Sequence, residues 1–161
     1  EPDIYVGGPA GFPGGGHCTE IKVMEAKRLL EDGAQEIDVV MNVGKLKSGE
    51  YDYVENELKE VLSVIPSNIL TKVIIEINCL KACELVIASG ADFVKTGTGW
   101  VPAPLDLERI RKIKDFTRGK IKLKVAGGIR TKEDFLAMVD MGVERFGIGT
   151  KSALEIVQSF E

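Results

Sequence analysis

The chain has 161 residues, 44% of them hydrophobic and 29% charged, with a formal net charge of −4; this supports one substantial core and excludes a disordered or fibrous protein. Without Lys/Arg-rich runs there is no electrostatic footprint for nucleic acid or an anionic membrane surface, so a small molecule is the expected partner. No apolar run approaches the ~20 residues of a membrane-spanning helix and no basic segment precedes an apolar signal core, so a cytoplasmic protein is expected.

In chain order, "DIYVGG" from Asp3 is the first strand-like segment. "TEIKVMEAKRLLEDGA" follows as an amphipathic helix, with Thr19 placed as N-cap, Gly33 as terminator, and Ile21, Met24, Leu29 and Leu30 on its apolar side. The strand "EIDVVMNVG" precedes the helix "YDYVENELKEVLSVI", and "TKVIIEIN" precedes the short crossover "CLKACELVIAS". Then come "ADFVKTGTG" with "PLDLERIRKIKDF", "KIKLKVAGG" with "TKEDFLAMVDMG" bounded by Thr131 and Gly142, and "RFGIGT" with "KSALEIVQSF". Strand and helix alternate throughout. Near-continuous apolar strands in that order predict a parallel sheet covered by helices, either doubly wound or a closed (β/α)8 TIM barrel.

Strand parity chooses between the two. Ile37, Val39 and Met41 share one face of their strand, while Glu36, Asp38, Val40 and Asn42 share the other. In the next strand Val73, Ile75 and Ile77 oppose Lys72, Ile74, Glu76 and Asn78, and later Leu123 and Val125 oppose Lys122 and Lys124. One face repeatedly carries charge. An open sheet would bury those charges in a dry layer under helices, whereas a barrel can gather them near its mouth, so the barrel is predicted. Only about six of its eight units are visible, and Thr71 to Ala91 leaves 20 residues between strand starts where the other intervals run from 25 to 35. A single barrel domain over residues 1–161 is therefore expected to lack two N-terminal units and part of the connection near Leu80.

Lys95 and Lys124 both point to the charged face at the C-terminal ends of neighbouring strands, where barrel enzymes place catalytic groups. An ordinary lysine, with a pKa near ~10.4, is protonated at neutral pH and cannot attack a carbonyl. Burial and an adjacent cation both disfavour the ammonium, so Lys95 beside Lys124 is a candidate Schiff-base former. Asp38, two strands away on the same face, is placed to hold Lys124 as a cation and to move protons through water. The same residues admit a plainer account: lysines snorkel to strand rims, Lys–Asp pairs are often simple ion pairs, and Glu76 and Asn78 suit satisfied interior polar groups. Cys18, Cys79 and Cys83 have no zinc spacing, and with His17 as the sole histidine no histidine-rich metal site is expected.

"GFPGGGHCTEIKVMEAK", "QEIDVVMNVGKLKSGEY", "ADFVKTGTG" and "LKVAGGIRT" together resemble the deoxyribose-phosphate aldolase family of class I aldolases, over almost the whole chain. The resemblance implies reversible cleavage of 2-deoxy-D-ribose 5-phosphate to D-glyceraldehyde 3-phosphate and acetaldehyde, with no metal or organic cofactor. It implies Lys95 as the Schiff-base lysine, Lys124 as the second lysine that perturbs it, and Asp38 in the proton relay. A lyase of carbohydrate catabolism, assembled as a homo-oligomer, follows from the same likeness. Substrate binding is expected from Thr96 and Gly99, and for the phosphate from Gly127, Gly128, Gly147, Gly149 and Thr150, although glycine turns alone suit any strand-to-helix connection. The chain differs from the family pattern at Gly149–Thr150, where Ser–Ser is usual, and at Trp100, where a smaller or basic residue is usual. The glycine-rich 7–16 segment suggests a mobile lip, and His17 and Cys18 suit loop positions. An aldolase for another phosphorylated sugar, or a non-catalytic sugar-phosphate-binding barrel, are the alternatives.

Overall fold

A computed structural model describes residues 4–76, 79–101 and 104–160. Six strands, β1 (Gly7–Ala10), β2 (Glu36–Val40), β3 (Leu70–Ile74), β4 (Phe93–Lys95), β5 (Lys122–Ala126) and β6 (Arg145–Gly147), form one sheet in sequential order with every pairing parallel. Helices α1 (Thr19–Glu31), α3 (Tyr51–Ser63), α4 (Leu80–Ser89), α5 (Leu107–Thr117) and α6 (Lys132–Asp140) link successive strands, and α7 (Thr150–Gln158) follows β6. A one-turn helix, α2 (Val43–Lys47), precedes α3.

The sheet curls. Flat strands lie ~4.8 Å apart, so β2 and β6, four places removed, would be separated by roughly 19 Å; yet Arg145 Nη1 on β6 lies 2.5 Å from Glu36 Oε1 on β2. The result is a partial (β/α)8 barrel, charged face inward, as parity predicts. Ile37, Val39, Met41, Val73, Ile75, Leu123 and Val125 face the helices and are buried in one cluster with Val54, Leu58, Ile110 and Ile113. Ile77 and Asn78 of the predicted third strand lie outside the described residues, as does the predicted first-strand start at Asp3. Ile4, Tyr5 and Val6 are exposed ahead of β1, which begins only at Gly7.

Several boundaries and one helix face differ from expectation. Cys18, not Thr19, is the N-cap of α1, and no side chain caps that end. Thr131 does cap α6, accepting the Asp134 N–H at 3.1 Å, and Gly33 and Gly142 take positive φ just beyond their helices. Asn42 caps α2, its Oδ1 accepting the Lys45 N–H at 3.1 Å; the turn lies inside a segment that alternation assigned to a strand end and its turn. On α1 the buried residues are Lys22 and Ala26, whereas Ile21 and Met24 are exposed.

Lys22 is buried through an ion pair that periodicity does not register. Lys22 Nζ lies 2.7 Å from Glu57 Oε2 of α3 and donates to the Val40 carbonyl at 3.0 Å, with both side chains essentially without solvent contact. Burial pushes the Lys22 ammonium down and the Glu57 carboxyl up, each opposed by the partner's charge. Glu57 Oε1 has no hydrogen-bond partner. Lys22→Ala is expected to destabilise the fold by about 3–5 kcal/mol, because it leaves a buried carboxylate uncompensated. Urea unfolding measures this, and Lys22→Met combined with Glu57→Leu should recover most of the loss.

Candidate active site

Beyond the exposed Lys122 at the start of β5, the inner face presents six charged side chains from five strands. Glu36 and Asp38 stand two residues apart on β2, Lys72 on β3 is level with Asp38, Lys95 on β4 and Lys124 on β5 are directly opposite each other, and Arg145 on β6 is level with Lys124. Asp38 is the hub. Its Oδ2 is 2.7 Å from Lys95 Nζ and its Oδ1 is 2.8 Å from Lys72 Nζ. Lys72, 1% exposed, also reaches Glu36 Oε2 at 2.6 Å, and Glu36 holds Arg145 through its other oxygen. Burial alone would raise both carboxyls. Lys95 and Lys72 outweigh it at Asp38, and Lys72 and Arg145 outweigh it at Glu36, so both sit below the ordinary carboxylate values.

Four cationic side chains therefore face two carboxylates, and Lys124 is left over. Among the described residues it makes no ion pair. Burial pushes its amine below the usual lysine value; Asp38 opposes, while Lys95, Lys72 and Arg145 add to the depression. One expectation is thereby corrected: Asp38 holds Lys95 and Lys72 rather than Lys124. Register explains it, since Lys72 pairs with Asp38 on the next strand and competes for it before β5 is reached. The predicted proximity of Lys95 and Lys124 holds.

A cavity lined by Gly8, Phe12, Asp38, Lys72, Lys95 and Lys124 opens onto this group. Gly147 makes room for it, because a Cβ there would lie 2.8 Å from the Ala126 Cβ and 3.7 Å from Lys124 Cε. The glycine-rich loop after β1 is anchored: the Gly11 N–H donates to Glu25 Oε2 at 2.6 Å, and a Cβ on Gly15 would sit 2.0 Å from the Met41 carbonyl oxygen. His17 and Cys18 are exposed on that loop.

The remaining predicted residues fall into two groups. Gly127 and Gly128, both at positive φ, turn β5 into α6; beside them Gly149 caps α7 and Thr150 begins it, at the same end of the sheet as both lysines. Thr96 instead faces away from the cavity. It is buried and its Oγ1 accepts the Ala126 N–H at 3.0 Å, so it ties β4 to β5, while Gly99 lies on the exposed turn after β4. The sequence reading assigned no role to Lys72, Glu36 or Arg145. Inner-face parity marks all three, but their ion pairs cross one to four strands and depend on sheet curvature. Among the described residues, no group of three His, Cys, Asp or Glu side chains is arranged to hold a metal, and no helix is long and apolar enough to cross a membrane.

A partial parallel barrel that gathers charged side chains near the C-terminal ends of its strands has the layout of a barrel enzyme's active site. Comparison with known proteins places it more closely. Residues 10–159 match the DeoC/LacD family aldolase family, and the chain belongs to that family. It is 46% identical over 159 residues to a deoxyribose-phosphate aldolase of Sinorhizobium medicae, covering 95% of this chain and 64% of that protein. Among solved structures it superimposes on QR15, an aldolase, with a TM-score of 0.88 at 41% identity, covering 98% of this chain and 72% of the other. A deoxyribose phosphate aldolase from Aeropyrum pernix, described as tetrameric, gives a TM-score of 0.84 at 28% identity, covering 98% and 68%. The chain spans about two thirds of the length of the curated relatives it matches.

The lowered Lys124 value has a signed consequence for stability. Folding disfavours its ammonium, so the cost is fully present below the folded value and fades as pH rises toward the reference value of 10.5. Lys124→Met is expected to be more stable than the parent near neutral pH, with the advantage shrinking toward pH ~10. Urea midpoints at three pH values check this, and a gap that widens with pH contradicts it.

Proposed function

We propose that this chain carries the reactive centre of a class I aldolase that reversibly cleaves 2-deoxy-D-ribose 5-phosphate to D-glyceraldehyde 3-phosphate and acetaldehyde. The observation that carries the reading is the pair of directly opposed amines, Lys95 and Lys124, with Lys95 held 2.7 Å from Asp38 and the ammonium of Lys124 disfavoured. The names of the relatives support the same chemistry and the same sugar phosphate.

In this reading Lys124, as the free amine, takes a proton from the Lys95 ammonium. Lys95 Nζ then attacks the sugar's aldehyde carbon, and loss of water leaves a protonated imine. A base removes the proton of the C3 hydroxyl, the C2–C3 bond breaks, and its electron pair moves into the imine to form an enamine as glyceraldehyde 3-phosphate departs. Protonation of the enamine carbon, from Lys124 with Asp38 through a water, and hydrolysis of the resulting imine release acetaldehyde and restore Lys95. The phosphate would rest on the neighbouring turns at Gly127–Gly128 and Gly147–Thr150, where backbone amides and the α7 N-terminus favour an anion. Thr96 and Gly99 would shape the turn beside Lys95.

The complete barrel would hold two further β/α units. Support comes from the share of the relatives covered and from exposed Ile21 and Met24 on α1 and Leu154 and Val157 on α7, the helices at the two ends of the sheet. A longer connection near Leu80 belongs to the same proposal. The natural protein should then have a mass roughly one and a half times that of the 161-residue chain, which intact mass spectrometry reads directly. A cytoplasmic homo-oligomer is part of this reading, supported by the tetrameric relative.

Borohydride reduction with acetaldehyde should place a stable adduct on Lys95, and Lys95→Ala should abolish cleavage. An adduct on Lys124 instead would favour a second reading, motivated by its disfavoured ammonium, in which that lysine is the nucleophile. No adduct on either in folded protein would defeat the aldolase proposal. Asp38→Asn should lower kcat by about 10²–10⁴-fold if the carboxylate serves the relay. Rapid cleavage of a different sugar phosphate, in preference to deoxyribose 5-phosphate, would reassign the substrate.

A further inference from the structure

Trp100, the chain's one tryptophan, is 67% exposed on the turn after β4 and is not part of the core. An exposed indole calls for a reason when the backbone beneath it is so firmly held. The Trp100 backbone N–H donates to Thr98 Oγ1 at 3.1 Å; the Thr98 hydroxyl donates to Glu76 Oε1 at 3.0 Å, and the Thr98 N–H donates to Glu76 Oε2 at 2.6 Å. Glu76 itself has φ +49°, the single left-handed non-glycine among the described residues. Such a conformation persists only where its surroundings enforce it.

What this latch positions is an aromatic contact. The Trp100 ring meets Phe12 edge-to-face, with centroids 5.8 Å apart and planes at 90°. Phe12 lines the cavity of Lys95, Lys124 and Asp38. It springs from the loop after β1, which is anchored through Gly11 and Gly15, so the two rings close a bridge between the β1 and β4 sides of the mouth. Phe12 and the two lysines line the same cavity, and only Trp100 is found against Phe12 as an aromatic neighbour among the described residues.

We propose that Trp100 is a specificity-determining residue: by bracing Phe12 it narrows the mouth beside Lys95, so that compact aliphatic aldehydes reach the amine and branched or aromatic ones are refused. The inference rests on the Lys95 reading above. A flat apolar wall there also keeps water from the imine, but discrimination by size is the property that depends on the brace.

The test is reductive trapping in the full-length protein, with acetaldehyde and benzaldehyde compared and adducts at Lys95 quantified by mass spectrometry. The wild type should favour acetaldehyde, and Trp100→Ala should raise the benzaldehyde-to-acetaldehyde ratio by about two- to twelvefold, the factor one aromatic pair is worth. Trp100→Phe, which can restore an edge-to-face contact, should return most of the discrimination. Thr98→Val, which loosens the latch without touching either ring, should move the ratio in the same direction by less. Circular dichroism checks that each variant is folded. Adduct formation with an unchanged ratio in Trp100→Ala overturns the brace alone, whereas no adduct at Lys95 of the wild type overturns the Lys95 reading and the brace with it.

Discussion

Asp38 accepts from two lysines at once, and that sharing governs the interior of the barrel. A carboxylate between Lys72 and Lys95 stabilises both ammonium groups, but it has no third oxygen for Lys124. The surplus positive charge falls on the strand farthest along the ring from β2 among the three lysine-bearing strands. Depression of the Lys124 amine follows first from burial, opposed by the Asp38 charge, and then from the neighbouring cations Lys95, Lys72 and Arg145. The Glu36 pairs with Lys72 and Arg145 extend the same logic one layer down and draw β6 toward β2.

The outer face solves a different problem. Aliphatic residues of the strands pack under the helices and supply the hydrophobic stabilisation. The N-terminal strand ends are stitched by carboxylates: Asp92 accepts both the N–H and the hydroxyl of Thr71, and Glu144 accepts the Leu123 N–H while pairing with Lys114. Stabilising contacts thus collect at one end of the barrel and the candidate site at the other, as this architecture allows. The Lys22–Glu57 pair is the exception, a charged contact within the apolar layer that locks α1 and α3 to the last carbonyl of β2.

The loops convert the scaffold into a site. Gly147 leaves volume for the Lys124 stem, Gly15 lets the β1–α1 loop lie against the end of β2, and Glu76 accepts backbone strain to hold the turn that follows Lys95.

Alternation with period two was enough to separate the buried aliphatic face from the charged one, and to put Asp38, Lys95 and Lys124 on the same side at the same end. Those are properties of the local chain, because side-chain direction along a strand follows from backbone geometry alone. Pairing was not local. Which lysine Asp38 would hold depended on strand register and curvature, and the Arg145–Glu36 contact exists only because residues 109 positions apart are curled together. On α1 Leu29 and Leu30 pack against the core as assigned, but the burial of Lys22 was not legible, because it reads as a surface residue until α3 brings Glu57 to it. Sequence alone determined the inventory of charges and the face they occupy; tertiary structure decided their partners, and so which amine was left without one, because electrostatic energy depends on distances that no run of neighbouring residues contains.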